Sequence, residues 1–318
     1  MAEKCSVVPS TAGGGDAQRW LSPLQDAANR QNYQGTLIVS AGGMVASSRI
    51  AHYCDGAEQY ERIEALDGQM RRVFRHNDVV QTRWPAKHVV LVEQRDFLST
   101  FPALLQAGDH HLDDYYEVKS GGVERVAGHD ANVLVVTPKD SHRFGYRFWS
   151  ERSSGLMLRA EVIGAKGEIL ESAAFSEVTL NVKPQPDTVL GPMRKMGSDR
   201  VLRPVLTRTR LETEGWTFRE VAPGFKLLSS VKRALDGAAE APAAHTPHVV
   251  QSIFSDGLTH VSIFIEAFDP ARHTQPMQTS IGATQTLMRR QGDWWITALG
   301  DVPAETLRQF AGGLQRVP

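Results

Sequence analysis

"RFGYRFWSERSSGLMLRAEVIGAKGEILESAAF", residues 143–175, decides the fold. It reads as three strands joined at "SERSSG" and "GAKGE", which have the composition of tight turns. No catalytic constellation stands in it. Strand aromatics commonly serve as core, yet a sheet of this length is not fully covered by two helices: it closes, pairs with another surface, or holds a ligand in its concavity. Of Phe144, Tyr146, Phe148 and Trp149, alternation lets only one set face inward.

Upstream, the same grammar recurs. "TLIVS", "ASSRIAHYC", "EQYERIEAL", "QMRRVFRH", "DVVQTRW" and "KHVVLVEQ" are β-rich runs separated by "GG", "DGAE", "DGQ" and "HND", and short turns between consecutive strands imply an antiparallel meander. Alternation places Ile50, His52 and Cys54 on one face, and Tyr60, Arg62 and Glu64 together on a more polar one. Two segments break the pattern. Trp20, Leu24 and Ala28 fall at helical spacing, with Pro23 placing the regular helix start near Ser22 or kinking it there. Phe97, Phe101, Leu104 and Leu105 do the same and need a sheet to lie on. Residues 17–183 therefore read as about eight to eleven strands and two helices: a large curved antiparallel sheet with helices packed on one face.

Residues 1–16 read as a flexible tail and 186–210 as a proline-interrupted, basic linker. From residue 211 to 318 a second module follows, a smaller antiparallel sheet with a helix. "SDGL" and "QGDW" mark its hairpins, and Leu307, Phe310 and Leu314 follow Pro303 at helical spacing. "DGAAEAPAAHTPH" is low in complexity and reads as a loop inside it. The fold class is α+β, in two domains, as 318 residues suggest.

Composition narrows the function. The net charge is −1 and the pI about 6.8, so no global field draws the chain to nucleic acid. Its apolar runs fall well short of the roughly 18 residues that a membrane-spanning helix needs. Neither nucleotide-binding glycine motif is present, nor Gly-x-Ser-x-Gly, His-Glu-x-x-His or Cys-x-x-Cys. His110, His111, Asp113 and Asp114 crowd together but read as a solvated loop, because a metal site demands closed coordination shells. Glu61 with Glu64, and Glu168 with Glu171, read as surface charges. The expectation is a protein without metal or cofactor, in which no catalytic constellation is marked. Cys5 and Cys54 are either one disulfide or two unrelated thiols.

"NYQGTLIV", "FWSERSSGLMLRAEV", "GEILESAAFSEV", "APGF", "VVQSIFSDGLTHVSIFIE" and "WWITALGDVP" resemble, in order and from about Trp20 to Leu314, the RseB/MucB family of periplasmic regulators of sigma-E-type envelope stress. "SDGL...VSIFIE" and the late "GDVP" before a helix are the most specific elements. The resemblance implies a two-domain protein without enzymatic activity, whose large domain, residues 17–185, is similar to the lipoprotein carriers LolA and LolB: an unclosed antiparallel barrel covered by helices. It implies that the chain, chiefly through its smaller domain, binds the periplasmic segment of a transmembrane anti-sigma factor, shielding it from regulated proteolysis. Lipid or lipopolysaccharide entering the large domain would release that partner. The chain opens without an export signal, so the periplasm enters through the resemblance, and that compartment favours a Cys5–Cys54 disulfide.

On this reading Leu37, Val39, Ile50, Val73, Phe97, Phe101, Phe148 and Leu158 are the candidate lipid-facing residues. Arg194, Lys195, Arg200 and Arg203 are candidates for polar contacts with the partner, and Trp216, Phe225, Phe254, Phe264 and Trp294 for apolar ones, some of them serving as core. An edge strand in "THVSIFIE" would accept a peptide by strand addition. A homodimer is a further expectation. A lipid or lipoprotein carrier is the alternative, weakened by the second module that it does not need. A hydrolase acting on an envelope polymer would require a buried carboxylate pair or a nucleophile beside a histidine.

Overall fold

The fold is a computed structural model that describes residues 16–56, 58–94, 112–195, 197–234 and 248–317. The large sheet contains β1 (Tyr33–Ala41), β2 (Met44–Asp55), β3 (Glu58–Ala65), β4 (Arg72–His76), β5 (Val79–Trp84), β6 (Val89–Gln94), β7 (Tyr116–Val126), β8 (His129–Pro138), β9 (Gly145–Glu151), β10 (Met157–Ile163), β11 (Ile169–Leu180) and β12 (Arg200–Leu202). Their order is β12-β6-β5-β4-β3-β2-β1-β11-β10-β9-β8-β7. All pairs are antiparallel except β12 on β6. The edge strands β12 and β7 do not pair, so the barrel stays open.

The opening stretch supplies β9, β10 and the start of β11. Its first turn is fixed by Glu151, whose carboxylate accepts from the amides of Ser153 (3.1 Å) and Ser154 (2.6 Å) and from the Ser153 hydroxyl (2.8 Å). Burial opposes the charge of Glu151, but the hydrogen bonds from Ser154 and Ser153 outweigh it and hold the carboxyl down to about 2.

Alternation sorts the side chains of this sheet onto two faces. Tyr33, Leu37, Ile50, Val133, Trp149, Leu158, Phe175 and Val178 share one buried cluster, against which Ile63 of β3 and Val135 of β8 pack. Five strands separate β3 from β8, so the sheet curls with this face inward. His129 Nε2 lies 3.3 Å from the Val178 carbonyl oxygen, tying β8 to β11 across the hollow.

The expectation that helices cover this barrel is corrected. Among the described residues α1 (Asp16–Arg30) and the one-turn α2 (Leu112–Tyr115) contact β2, β7 and β10, while α3 (Asp187–Arg194) lies on β3 and β4. The inward side chains bury one another through curvature instead. The helix expected around Phe97 and Phe101 lies outside the described residues. In α1, Pro23 sits within the helix, and its buried stripe is Leu21, Leu24 and Ala27. Trp20, expected on that stripe, is 48% exposed.

The smaller sheet contains β13 (Leu206–Arg208), β15 (Lys226–Ala234), β16 (His248–Ser255), β17 (His260–Ala267), β18 (Met277–Ile281), β19 (Thr284–Gln291) and β20 (Trp294–Gly300), ordered β13-β15-β16-β17-β20-β19-β18. β14 (Trp216–Phe218) and β21 (Leu314–Arg316) pair separately, and α4 (Ala304–Gly313) packs on β19 and β20. Trp216, Phe225, Phe254, Ile263, Ile296, Leu307 and Phe310 form the core. Phe310 is its centre, with Phe254 at 5.3 Å and Phe225 at 5.4 Å between ring centroids.

Two expectations change here. "THVSIFIE" is β17, flanked by β16 and β20 in mid-sheet, so its backbone is not available to a peptide. Its nearly continuous apolar run is what a strand buried on both faces needs. Residues 186–210 are no free linker: they contain α3 and deliver β12 to the large sheet and β13 to the small one.

Candidate functional site

The two sheets meet at a buried ionic cluster. Arg143 lies just before β9 and Asp256 just after β16. Arg143 Nε is 3.5 Å from Asp256 Oδ2, and both side chains are fully withdrawn from solvent. A buried charge is tolerated only when its hydrogen-bonding capacity is met. Asp256 meets this condition: Oδ1 accepts from the amides of Leu258 (3.0 Å) and Thr259 (2.9 Å), and Oδ2 accepts from the Tyr116 hydroxyl (2.8 Å). Burial, reinforced by the Asp256 charge, raises the Tyr116 phenol, which keeps it a neutral donor.

Arg143 is held from the other side. It donates to the Pro223 carbonyl oxygen, lies 3.4 Å from Asp140, and rests over the Tyr115 and Phe225 rings at 4.4 and 5.4 Å. The Thr306 hydroxyl adds a bond of 2.9 Å to the His142 carbonyl oxygen. At Gly224 (φ +83°) a Cβ would lie 2.7 Å from the Tyr115 ring, so only glycine permits this approach. "SDGL", read in sequence as a hairpin turn, and "APGF", one of the stretches that carry the resemblance, are thus the pieces that dock the small sheet on the large one. Asp256 and Arg143 escaped sequence reading because nothing local marks an ion pair between residues more than a hundred positions apart.

On the inward face, Leu37, Ile50 and Leu158 are buried and Val39 is partly buried in one cluster. Val73 is partly buried opposite Ile63. Phe148 is corrected: it points to the other face, where it stacks on Tyr146 at 5.6 Å in a cluster reached by Leu258 and Ala283 of the small sheet. Its neighbour Trp149 takes the inward place. Phe97 and Phe101 lie outside the described residues.

The inward face also carries a polar row that the sequence did not announce. Register sets Tyr33 opposite His52, His52 opposite Glu61 and Glu61 opposite Arg75. All four are buried. Burial pushes the Glu61 carboxyl up to about 7, against the opposing pull of Arg75. His52 is lowered, chiefly by burial, while its Nδ1 contact with the Gln31 carbonyl oxygen (2.8 Å) works the other way. Glu61 and Glu64 face opposite sides of β3, so they form no acid–base pair. Cys54 is disulfide-bonded; Cys5 lies outside the described residues.

The partner-binding candidates divide by burial. Arg194, Lys195, Arg200 and Arg203 are exposed along α3, β12 and the segment after it. Trp216, Phe225 and Phe254 are the ones that serve as core, being 1%, 7% and 4% exposed. Phe264 and Trp294 are partly exposed, with Arg233 5.8 Å over the first and Arg316 5.1 Å over the second.

Family models for the MucB/RseB N-terminal domain and the MucB/RseB C-terminal domain match residues 16–193 and 210–315. The chain is 29% identical to the "Sigma factor AlgU regulatory protein MucB" of Pseudomonas aeruginosa over 319 residues, covering 96% of this chain and 92% of that protein. It is 23% identical to the "Sigma-E factor regulatory protein RseB" of Escherichia coli strain K12, over 93% of this chain and 89% of that one. Among solved structures, MucB in complex with MucA(peri) superimposes with a TM-score of 0.69 at 25% identity, covering 95% of this chain and all of that chain.

Proposed function

The chain belongs to the MucB/RseB family, and from that premise we propose that it is a periplasmic regulator of a sigma-E-type envelope-stress response. It binds the periplasmic segment of a transmembrane anti-sigma factor. By occupying that segment it withholds it from regulated proteolysis. A periplasmic site of action follows from the partner, and the disulfide at Cys54 suits an oxidising compartment. The observation that carries this reading is the likeness, over nearly the whole chain, to a MucB solved with MucA(peri).

The chain acts by binding, not by catalysis, and the large domain is the sensor. In the finer part of the proposal this domain is a LolA/LolB-like open barrel. Acyl chains of lipid or lipopolysaccharide enter along the inward face near Leu37, Val39, Ile50 and Leu158, at roughly 0.8 kcal/mol per buried methylene. Three or four methylenes suffice for a coupling of about 1–3 kcal/mol. Tyr116 and Arg143 stand in or beside the large sheet and grip Asp256 of the small one. A change of curvature in β7–β9 is thereby felt by the partner-binding module. Co-precipitation with the anti-sigma segment, repeated with added lipid, tests the reading. Absence of binding overturns the regulator, and binding indifferent to lipid overturns the sensor. Self-association, measured by sedimentation, tests the homodimer.

A further inference from the structure

A second charged row lies on the outward face of the same strands. Register aligns Arg49 of β2, Glu64 of β3, Arg72 of β4 and Arg83 of β5. One carboxylate serves two of these guanidiniums: Glu64 is 3.8 Å from Arg49 and 3.0 Å from Arg72. Arg83 stands directly opposite Arg72 and donates to the carbonyl oxygens of Pro192 (2.7 Å) and Lys195 (2.9 Å), not to a carboxylate. Like charges set opposite each other weaken a ladder. Arg62, one step along β3 on the same face, has neither a hydrogen bond nor an ion pair among the described residues.

Arg62, Arg72 and Arg83 line a cleft of about 470 Å³ between these strands and the end of α3. Its two acids are engaged already, Glu64 as above and Asp199 by His88 at 3.4 Å. The charge left over is therefore positive and centred on Arg62. Arg49 and Arg62 also border a second cleft of about 280 Å³, with Gln34, Thr36 and Thr179 along it. The two make a track of four guanidiniums set among three carboxylates, the third being Glu177, which accepts from the Thr36 hydroxyl (2.9 Å); Phe74 also lines it. Guanidinium groups suit carboxylates, which they engage through two parallel bonds.

We propose that this track, centred on Arg62, receives the carboxylate side chains of an extended acidic stretch in the anti-sigma partner; the inference rests on the partner binding proposed above. Arg194, Lys195 and Arg200 lie exposed beside its open end and extend the same sign of charge. An extended acidic peptide suits the track because it offers a carboxylate to Arg62 and apolar side chains to Phe74 beside it.

The test is calorimetric titration of the full chain with the anti-sigma periplasmic segment and with the same segment carrying Asn and Gln in place of Asp and Glu. Arg62→Glu is expected to weaken the acidic segment by about tenfold or more, as loss of a charged hydrogen bond would. Arg62→Lys keeps most of the affinity, and the neutral segment binds weakly and equally to both variants. An unchanged urea midpoint shows that Arg62→Glu folds, and Arg62→Gln replaces it if that midpoint falls. If the wild-type chain ignores the segment, the regulator reading fails, and this inference with it. If wild type and Arg62→Glu bind the acidic segment equally, this inference alone fails. Loss of sedimentation with phosphatidylglycerol vesicles in Arg62→Glu, with segment binding intact, would assign the track to lipid phosphates and overturn it.

Discussion

Arg143 and Asp256 meet at 3.5 Å in the plane where the two sheets touch, with neither side chain open to water. The pair is the charged centre of the junction, because Tyr116, Pro223, Thr259 and Phe225 are all organised around it. A buried ion pair need not add net stability, but removing one partner strands the other.

Asp256→Ala is therefore expected to cost about 3–5 kcal/mol in urea unfolding. Arg143→Met combined with Asp256→Leu should cost much less than the two single changes together. Additive losses would show that the two charges do not act as a unit.

Glu61 gives the inward face a pH signature. Its folded carboxyl titrates near 7, against an ordinary value of 4.5. The folded state thus holds the proton more tightly than the unfolded one, so stability is fullest below about pH 4.5 and declines as pH rises through 7. The decline is about 3 kcal/mol at roughly 1.4 kcal/mol per pKa unit. Glu61→Gln should remove this decline and leave the opposing rise that His52, lowered by burial, contributes over the same window. A variant whose pH dependence matches wild type would contradict this account.

Gly282 reports the second contact between the sheets. At φ +58° a Cβ there would lie 2.8 Å from Ala41 Cβ in the large sheet, whereas Gly292 (φ +60°) has open space. Gly292→Ala should cost about 1–2 kcal/mol, the left-handed strain alone. Gly282→Ala should cost more, and comparison of the two thermal unfolding transitions measures the excess.

The architecture was legible wherever turn chemistry and alternation spoke together. The three strands of residues 143–175 and the hairpins at "GG" and "SDGL" follow from residue type and spacing. The faces of Ile50 and Tyr60 were legible too, since period two leaves no third choice. Phe148 was misassigned because alternation gives two sets without naming the inward one; only the curvature of the whole sheet chooses Trp149. Proline and arginine made residues 186–210 look like linker, yet Val201 pairs beside Val90 at a parallel edge, where few hydrogen bonds are needed. The polar row His52–Glu61–Arg75 and the junction at Asp256 depend on register between distant strands, which single residues do not encode.

The division of the partner-binding candidates is testable. Trp216→Ala should destabilise the small domain by about 3–5 kcal/mol, as loss of a core aromatic does. Arg200→Ala should change stability by less than about 0.5 kcal/mol. If Arg200→Ala leaves the unfolding midpoint intact and weakens the anti-sigma segment, the basic segment acts at the surface. A large stability loss in Arg200→Ala would instead make it structural.

The central claim is that one chain couples an acyl ligand on the large sheet to a protein partner. Calorimetric titration with the periplasmic segment of the anti-sigma factor, with and without saturating lipid, tests it most directly. The account predicts a specific complex whose affinity falls by about 5- to 150-fold when lipid is bound, the range of a coupling of 1–3 kcal/mol. A segment that does not bind, or one that binds equally tightly with lipid present, would contradict it.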